Sequence, residues 1–195
     1  MDFEIVVIGL SLGGRHALEV VLPALPKDFP LPVALVQHRG SGSDATLVAH
    51  LQKHSALPVA EPEDKEVIRR GQLYLAPADY HLLVEGGHFA LSTEAPVWYA
   101  RPSIDVLFES AAAAYGEGVI GVLLTGASQD GVQGLAAIKR SGGLAVVQDP
   151  KTAQVPEMAK AAIAAAAVDK ILPLEEIGPF LADICCVKGT LPYGS

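Results

Sequence analysis

The feature that most constrains the fold is a turn of the pattern Gly-x-Ser-x-Gly at residues 9–13, which directly follows an apolar run. That run, residues 3–8, has the length of a buried strand, and the residues after the turn have helical periodicity. A strand, a tight turn and a helix in this order are typical of a parallel α/β sheet, and flanking glycines relieve crowding around the serine. The pattern predicts that Ser11 projects from the end of the first strand as a nucleophile.

The same turn is compatible with a nucleotide site, because Gly9, Gly13 and Gly14 approach the glycine fingerprint of dinucleotide-binding folds. In those folds the second strand ends in an Asp or Glu that binds the ribose, about 20 residues past the fingerprint. Here the second apolar run, residues 33–37, is followed by His38. A base stands where the ribose-binding acid is expected, which favours the nucleophile interpretation.

Strand-like and helix-like segments alternate along the chain. This alternation is typical of an α/β protein with a mainly parallel, doubly wound sheet that is covered by helices on both faces. Residues 81–85 and 88–91 are strand-like and flank Gly86-Gly87, so we expect an added antiparallel hairpin. The other expected strands are residues 3–8, 33–37, 73–75, 118–124 and 144–148, and the later expected helices are 104–115, 132–141 and 174–187.

Composition excludes several classes of function. The chain has 195 residues, of which 50% are hydrophobic, and no internal repeat or long linker, so we expect one domain over residues 1–195. A formal net charge of −8 without a basic cluster argues against nucleic-acid binding, because phosphates would be repelled. Since no apolar segment is long enough to span a bilayer and no signal peptide begins the chain, we expect a cytoplasmic protein without membrane insertion.

Three loops at the ends of the expected strands carry reactive side chains. Ser11 follows the first strand, His38 follows the second, and Asp130 lies in the loop after residues 118–124. Because parallel strands end at the same edge of a sheet, we expect these side chains to meet there. A serine nucleophile needs an imidazole to take its proton, and the imidazole needs a carboxylate to fix its tautomer. The sequence therefore predicts a catalytic triad, in a chain order that differs from that of α/β-hydrolases.

Attack on a carbonyl carbon also requires donors for the negative charge that develops on the oxygen, and backbone amides usually supply them. The amide of Leu12 follows the nucleophile directly, and that of Ala127 lies in the loop before Asp130. We expect these two amides to form the oxyanion hole, a role that typically contributes about 3 kcal/mol per donor.

A metal site is the remaining candidate, because His50 and His54 lie four residues apart on a predicted helix. The sequence around them contains no accompanying cluster of carboxylates or thiols. We therefore predict a solvated helix face at these histidines, and neither a bound metal nor a cofactor.

Six segments carry a resemblance that is more specific than the serine turn. They read IGLSLGG at 8–14, VQH at 36–38, YLAPADYH at 74–81, RPSIDVLF at 101–108, LTG at 124–126 followed by DG at 130–131, and QDP at 148–150. In order and spacing they resemble the catalytic domain of the chemotaxis protein-glutamate methylesterase family, CheB, over residues 5–177. The resemblance implies a three-layer α/β/α sandwich with about seven strands, and it matches Ser11, His38 and Asp130 to the family's triad.

For function, the resemblance implies hydrolysis of glutamate γ-methyl esters on the methylated helical cytoplasmic region of chemoreceptors, with release of methanol. Some relatives also deamidate receptor glutamines. Family members commonly carry an amino-terminal receiver domain, whereas this chain begins two residues before its first expected strand. We expect that a separate regulatory protein controls the enzyme, that it is constitutively open, or that the sequence is a piece of a longer chain.

Two departures from the family pattern keep other functions open. Leu12 stands where the family often has Thr, and Ala127 stands where it often has Met. These departures suggest a catalytically weak module that docks on receptor helices, whereas a deep apolar pocket would favour a small-molecule esterase with the same triad.

Overall fold

The computed structural model describes residues 2–39, 46–165 and 167–186. Within them, seven strands form one parallel sheet and two form a separate antiparallel hairpin. The strands are β1 (Ile5–Leu10), β2 (Val33–Gln37), β3 (Val59–Ala60), β4 (Leu73–Leu75), β5 (His81–Glu85), β6 (His88–Ser92), β7 (Val119–Leu123), β8 (Leu144–Gln148) and β9 (Lys170–Leu172). The helices are α1 (Gly14–Val21), α2 (Thr46–His54), α3 (Ile104–Tyr115), α4 (Val132–Arg140), α5 (Glu157–Ala164) and α6 (Leu174–Cys186).

The order of strands in the main sheet is β3-β4-β2-β1-β7-β8-β9, and every neighbouring pair is parallel. β1 is therefore the central strand, with β2, β4 and β3 on one side of it and β7, β8 and β9 on the other. The reversal of strand order between β1 and β7 opens a crevice at the carboxyl ends of the strands, which is where α/β sheets bind ligands.

Helices cover both faces of the sheet. Along β1, Val6 and Ile8 face a core shared with α1, α2 and α6, whereas Ile5 and Val7 face a core shared with α3, α4, α5 and the hairpin. Successive side chains of a strand point to opposite faces, so a strand that is apolar at every position needs cover on both sides. The expected three-layer α/β/α sandwich with a parallel sheet and an added hairpin is confirmed.

Element boundaries differ from the sequence prediction in a few places. β1 begins and ends two residues later than expected, because Gly9 and Leu10 remain paired with Val36 and Gln37 of β2. β3, a strand of two residues, carries too short an apolar pattern to be predicted. The last expected helix extended to Val187, which lies outside the described residues. None of the helices described above combines the length and the hydropathy of a membrane-spanning segment.

The two glycines that flank the serine turn have different roles. Gly13 has a φ of +82°, a left-handed backbone that other residues adopt only with strain. Gly9 lies inside β1, where a Cβ atom would stand 2.2 Å from Cγ2 of Ile104 at the start of α3. The sequence interpretation placed turn strain on both glycines, whereas Gly9 is required because α3 approaches the sheet closely at that point.

Replacing Gly9 with Ala is therefore expected to lower the free energy of unfolding by about 1–3 kcal/mol, the usual cost of overpacking a core. Gly118→Ala is the matched control, because the atoms nearest to its Cβ would belong to the side chain of Glu4, at 3.1 Å, which can move. Urea unfolding of both variants measures the difference. Equal stability of Gly9→Ala and the parent protein would contradict the close approach of α3.

Candidate active site

Ser11, His38 and Asp130 all lie beyond the carboxyl ends of neighbouring strands, next to the reversal of strand order. The amide of Ser11 donates to the carbonyl of Thr125 at 3.0 Å, and the amide of His38 donates to the carbonyl of Leu10 at 3.1 Å. These bonds continue the pairing of the sheet past the ends of its strands and tie the reactive loops to one another. The strand ends thus fix the backbone positions of Ser11 and His38.

His38 and Asp130 are in direct contact. The Nε2 atom of His38 lies 2.6 Å from Oδ2 of Asp130, although the two residues are 92 positions apart in the chain. The Asp130 side chain is completely buried, and that of His38 is 14% exposed. With Nε2 bonded to the carboxylate, Nδ1 is the ring nitrogen that remains to accept a proton.

The carboxylate of Asp130 accepts hydrogen bonds from the first turn of α3. Besides His38, it accepts hydrogen bonds from the hydroxyl of Ser103 at 2.8 Å and from the amides of Ile104 and Asp105 at 2.7 and 2.9 Å. The unpaired amides of a helix start favour a negative charge. Burial alone would raise the pKa of Asp130, but the bonds from His38, the two amides and Ser103 outweigh it and hold the pKa below its usual value.

Ser11 lies on the wall of a cleft of about 520 Å³ that His38 also lines. The left-handed backbone needed to turn from strand to helix falls on Gly13, two residues after the serine. Within the described residues, no hydrogen bond joins the Ser11 hydroxyl to His38. The structure therefore brings the histidine and the aspartate together and places the serine in the same cleft.

The amides of Leu12 and Ala127 are available for a ligand. In the two loops, the amides of Ser11 and Gly126 are already bonded to the carbonyls of Thr125 and Val155, both at 3.0 Å. Those of Leu12 and Ala127 have no hydrogen-bond partner among the described residues. This arrangement is compatible with the oxyanion role expected for them.

Asp105 is a site residue that sequence reasoning missed. Its Oδ1 accepts hydrogen bonds from the amides of Gly131 and Gly134 at 2.9 and 2.7 Å, and its Oδ2 accepts one from the indole of Trp98 at 3.1 Å. It thereby joins the start of α3 to the start of α4, on either side of Asp130. A serine directly before a predicted helix signals an N-cap, and Ser103 caps α3. No local pattern in the sequence shows that the start of α3 bonds to Asp130 or that Asp105 bonds to the start of α4.

His50 and His54 have a carboxylate neighbour that the sequence around them does not show. Glu19, from α1, places Oε1 2.8 Å from Nε2 of His50, so a carboxylate does accompany the two histidines. The side chains of His50 and Glu19 are 28% and 32% exposed, so this face of α2 is only partly solvated. The pattern missed Glu19 because it lies on another helix, 31 residues away.

A second cleft, of about 470 Å³, adjoins the first at His38. Trp98, Tyr99 and Arg101 line it, and the side chain of Tyr99 is fully exposed. Both Trp98 and Tyr99 have positive φ, at 50° and 61°, and the indole of Trp98 is held by Asp105. The segment that presents these rings is therefore anchored to the same network as Asp130.

The ionisation of Asp105 yields a pH prediction. Burial, reinforced by the charge of Asp130, raises the pKa of Asp105 from its ordinary 3.8 to about 6, although amide hydrogen bonds from Gly134 and Gly131 oppose the rise. Between these values the folded protein holds a proton that the unfolded chain has released. The resulting stabilisation is complete below about pH 4 and is lost as the pH rises through about 6.

We therefore expect the stability of the parent protein, relative to that of Asp105→Asn, to fall by up to about 3 kcal/mol between about pH 4 and pH 7, since one pKa unit corresponds to about 1.4 kcal/mol. Urea unfolding of both proteins at the two pH values, followed through the single tryptophan, measures it. A difference that stays constant or grows with pH would contradict the raised pKa.

Several known proteins are similar to this chain in sequence. A family model described as CheB methylesterase matches residues 6–181. A relative from Leptospira interrogans is 48% identical over 178 residues, which cover 91% of this chain and 92% of that protein. A protein-glutamate methylesterase/protein-glutamine glutaminase from Anaeromyxobacter dehalogenans is 45% identical over 181 residues, which are 93% of this chain and 53% of that protein.

A solved structure agrees with these matches. The crystal structure of the Thermotoga maritima CheB methylesterase catalytic domain superposes with a TM-score of 0.89 and 36% identity, and the match covers 94% of this chain and 100% of that one. The chain spans about half the length of several curated relatives and nearly all of the Leptospira protein. Because the family model matches most of the chain and the solved domain has the same fold, the chain belongs to the CheB methylesterase family.

Proposed function

We propose that this chain is a single-domain serine hydrolase that removes methyl groups from glutamate γ-methyl esters of chemoreceptors and deamidates receptor glutamines. The observation that carries the proposal is the contact of 2.6 Å between His38 and the buried carboxylate of Asp130, at a cleft that Ser11 also lines. Membership of the family supports it, as do the names of relatives that are protein-glutamate methylesterases/protein-glutamine glutaminases.

In the first half of the proposed reaction, the hydroxyl of Ser11 rotates towards His38 and attacks the γ-carbonyl carbon of the esterified glutamate. Nδ1 of His38 accepts the serine proton, because Nε2 is bonded to Asp130. The ionised carboxylate fixes the tautomer of the histidine and stabilises the imidazolium that forms. The bond to the methoxy oxygen then breaks, His38 protonates the leaving group, and methanol departs from an acyl-enzyme.

In the second half, a water molecule attacks the acyl carbon while His38 again accepts a proton. The bond to Ser11 breaks, the serine recovers its proton, and the glutamate side chain is released as a carboxylic acid that ionises. The same steps on a glutamine release ammonia in place of methanol. The amides of Leu12 and Ala127 donate to the carbonyl oxygen when it carries negative charge, a role that needs no particular side chain at either residue.

A protein substrate suits the surface around His38 better than a small molecule does. Two open clefts meet at this histidine, and apolar side chains stand exposed at their rims. Leu12 is 63% exposed beside the first cleft, and Tyr99 is fully exposed beside the second. Exposed aromatic side chains of this kind anchor protein interfaces. We propose that the two clefts together hold a receptor helix, with its modified glutamate next to Ser11.

Replacing Ser11 with Ala is expected to reduce the demethylation rate by about 10⁴-fold or more, since serine hydrolases lose at least this much without the nucleophile. The measurement is the mass of a methyl-esterified receptor helical fragment before and after incubation with each protein. Ser141→Ala is the matched control, because Ser141 is exposed at the end of α4, away from the clefts, and it should act like the parent.

Demethylation by Ser11→Ala at the parental rate would contradict the nucleophile. If the parent leaves the fragment unchanged, labelling by a serine-directed phosphonate distinguishes the alternatives. Labelled Ser11 would indicate an esterase with another substrate, whereas unlabelled Ser11 in folded protein would indicate a docking module.

Replacing Tyr99 with Ala is expected to lower kcat/KM for the receptor fragment by about 5-fold to 10-fold, as truncating an interface aromatic often does, and to leave hydrolysis of a small model ester unchanged. Ile171→Ala, at an exposed position on the distant edge strand β9, is the matched control. Steady-state kinetics on both substrates measure the effect. An unchanged kcat/KM for the receptor fragment would contradict docking at the second cleft.

A further inference from the structure

A group of two imidazoles and one carboxylate joins α1 to α2 outside the triad. Glu19 is on α1, and His50 and His54 are one turn apart on α2. One potential ligand atom from each residue lies within 4.8 Å of the other two, and the two imidazole centroids are 5.0 Å apart. The proposed hydrolysis does not use these three residues.

Their chemistry matches that of a metal site. Imidazole nitrogen and carboxylate oxygen together suit zinc and its neighbouring divalent ions, and histidines four residues apart on a helix point their rings to one face. The chain has a net charge of −8, which favours the uptake of a cation. The side chains of Glu19 and His50 are about two-thirds shielded from solvent, so an ion between them would be screened less than one on an open surface.

The spacing needs little adjustment to hold an ion. Ligand atoms around a tetrahedral zinc ion stand about 3.4 Å apart, given bonds of about 2.0–2.1 Å. Nε2 of His50 and Oε1 of Glu19 are now 2.8 Å apart and would move outwards slightly, while His54 would turn inwards. The fourth position would be open to water or to His16, whose Nδ1 lies 4.0 Å from the other carboxylate oxygen of Glu19.

The group of Glu19, His50 and His54 lies beside the cleft that Ser11 lines. Glu19 and His16 line the same cleft as Ser11 and His38. The helix that carries Glu19 begins three residues after Ser11, and α2 is the next helix after His38. We propose that Glu19, His50 and His54 form a binding site for a zinc-class divalent ion, which ties α1 to α2 at the wall of the cleft.

The test is titration of the metal-stripped full chain with Zn²⁺ at neutral pH by isothermal calorimetry. We expect one ion per chain, and a loss of affinity of about 10-fold or more in His50→Ala, His54→Ala and Glu19→Gln, because even residues behind the ligands change affinity by that factor. His88→Ala is the matched control: it removes an exposed histidine on β6 and should bind zinc like the parent.

Thermal unfolding is a second readout that does not depend on esterase activity. Zn²⁺ should raise the Tm of the parent and of His88→Ala, and it should raise the Tm of the cluster variants less, because an ion that binds the folded state stabilises it by mass action. Equal zinc affinity in the parent and the cluster variants would overturn the proposal, as would a parent protein that binds no zinc. In either case the contact between Glu19 and His50 is a hydrogen bond between helices.

Discussion

The carboxylate of Asp130 is the group on which the rest of the site depends. It is completely buried, and it accepts hydrogen bonds from His38, the hydroxyl of Ser103 and the amides at the start of α3. An ionised carboxylate without such partners would be too costly to bury. The start of α3 must therefore lie at the end of β7, and Gly9 makes that possible because it leaves room on β1 for Ile104.

The carboxylate of Asp105 is a second buried acid in the same region. Asp105 lies in the same helix turn that holds Asp130, and its carboxylate accepts hydrogen bonds from the amides at the start of α4. Burial raises the pKa of both acids, yet the pKa of Asp130 ends below its ordinary value whereas that of Asp105 rises to about 6. The donors explain the difference, because the imidazole, the two amides and the hydroxyl that bond Asp130 together outweigh its desolvation, whereas the amides that bond Asp105 do not.

Much of the architecture was predictable because its signals are local. Strands β2, β4 and β8 and helix α3 have the boundaries expected from their apolar periodicity. The ends of β1 were not predictable, since pairing with β2 extends that strand through Gly9 and Leu10. β3 was missed because it has two residues and exists only through its neighbour β4. The three candidate triad residues were identifiable because each lies in the turn or loop that follows an apolar run.

Long-range contacts account for what the sequence could not show. The residue types of Ser11, His38 and Asp130 and their places after strands are properties of short segments, and so is the helical spacing of His50 and His54. The hydrogen bonds of Asp130 to α3, those of Asp105 to α4 and the approach of Glu19 to the two histidines join residues that are 25 to 35 positions apart. No periodic pattern encodes such pairs, because the order of strands and the packing of helices on the sheet bring them together.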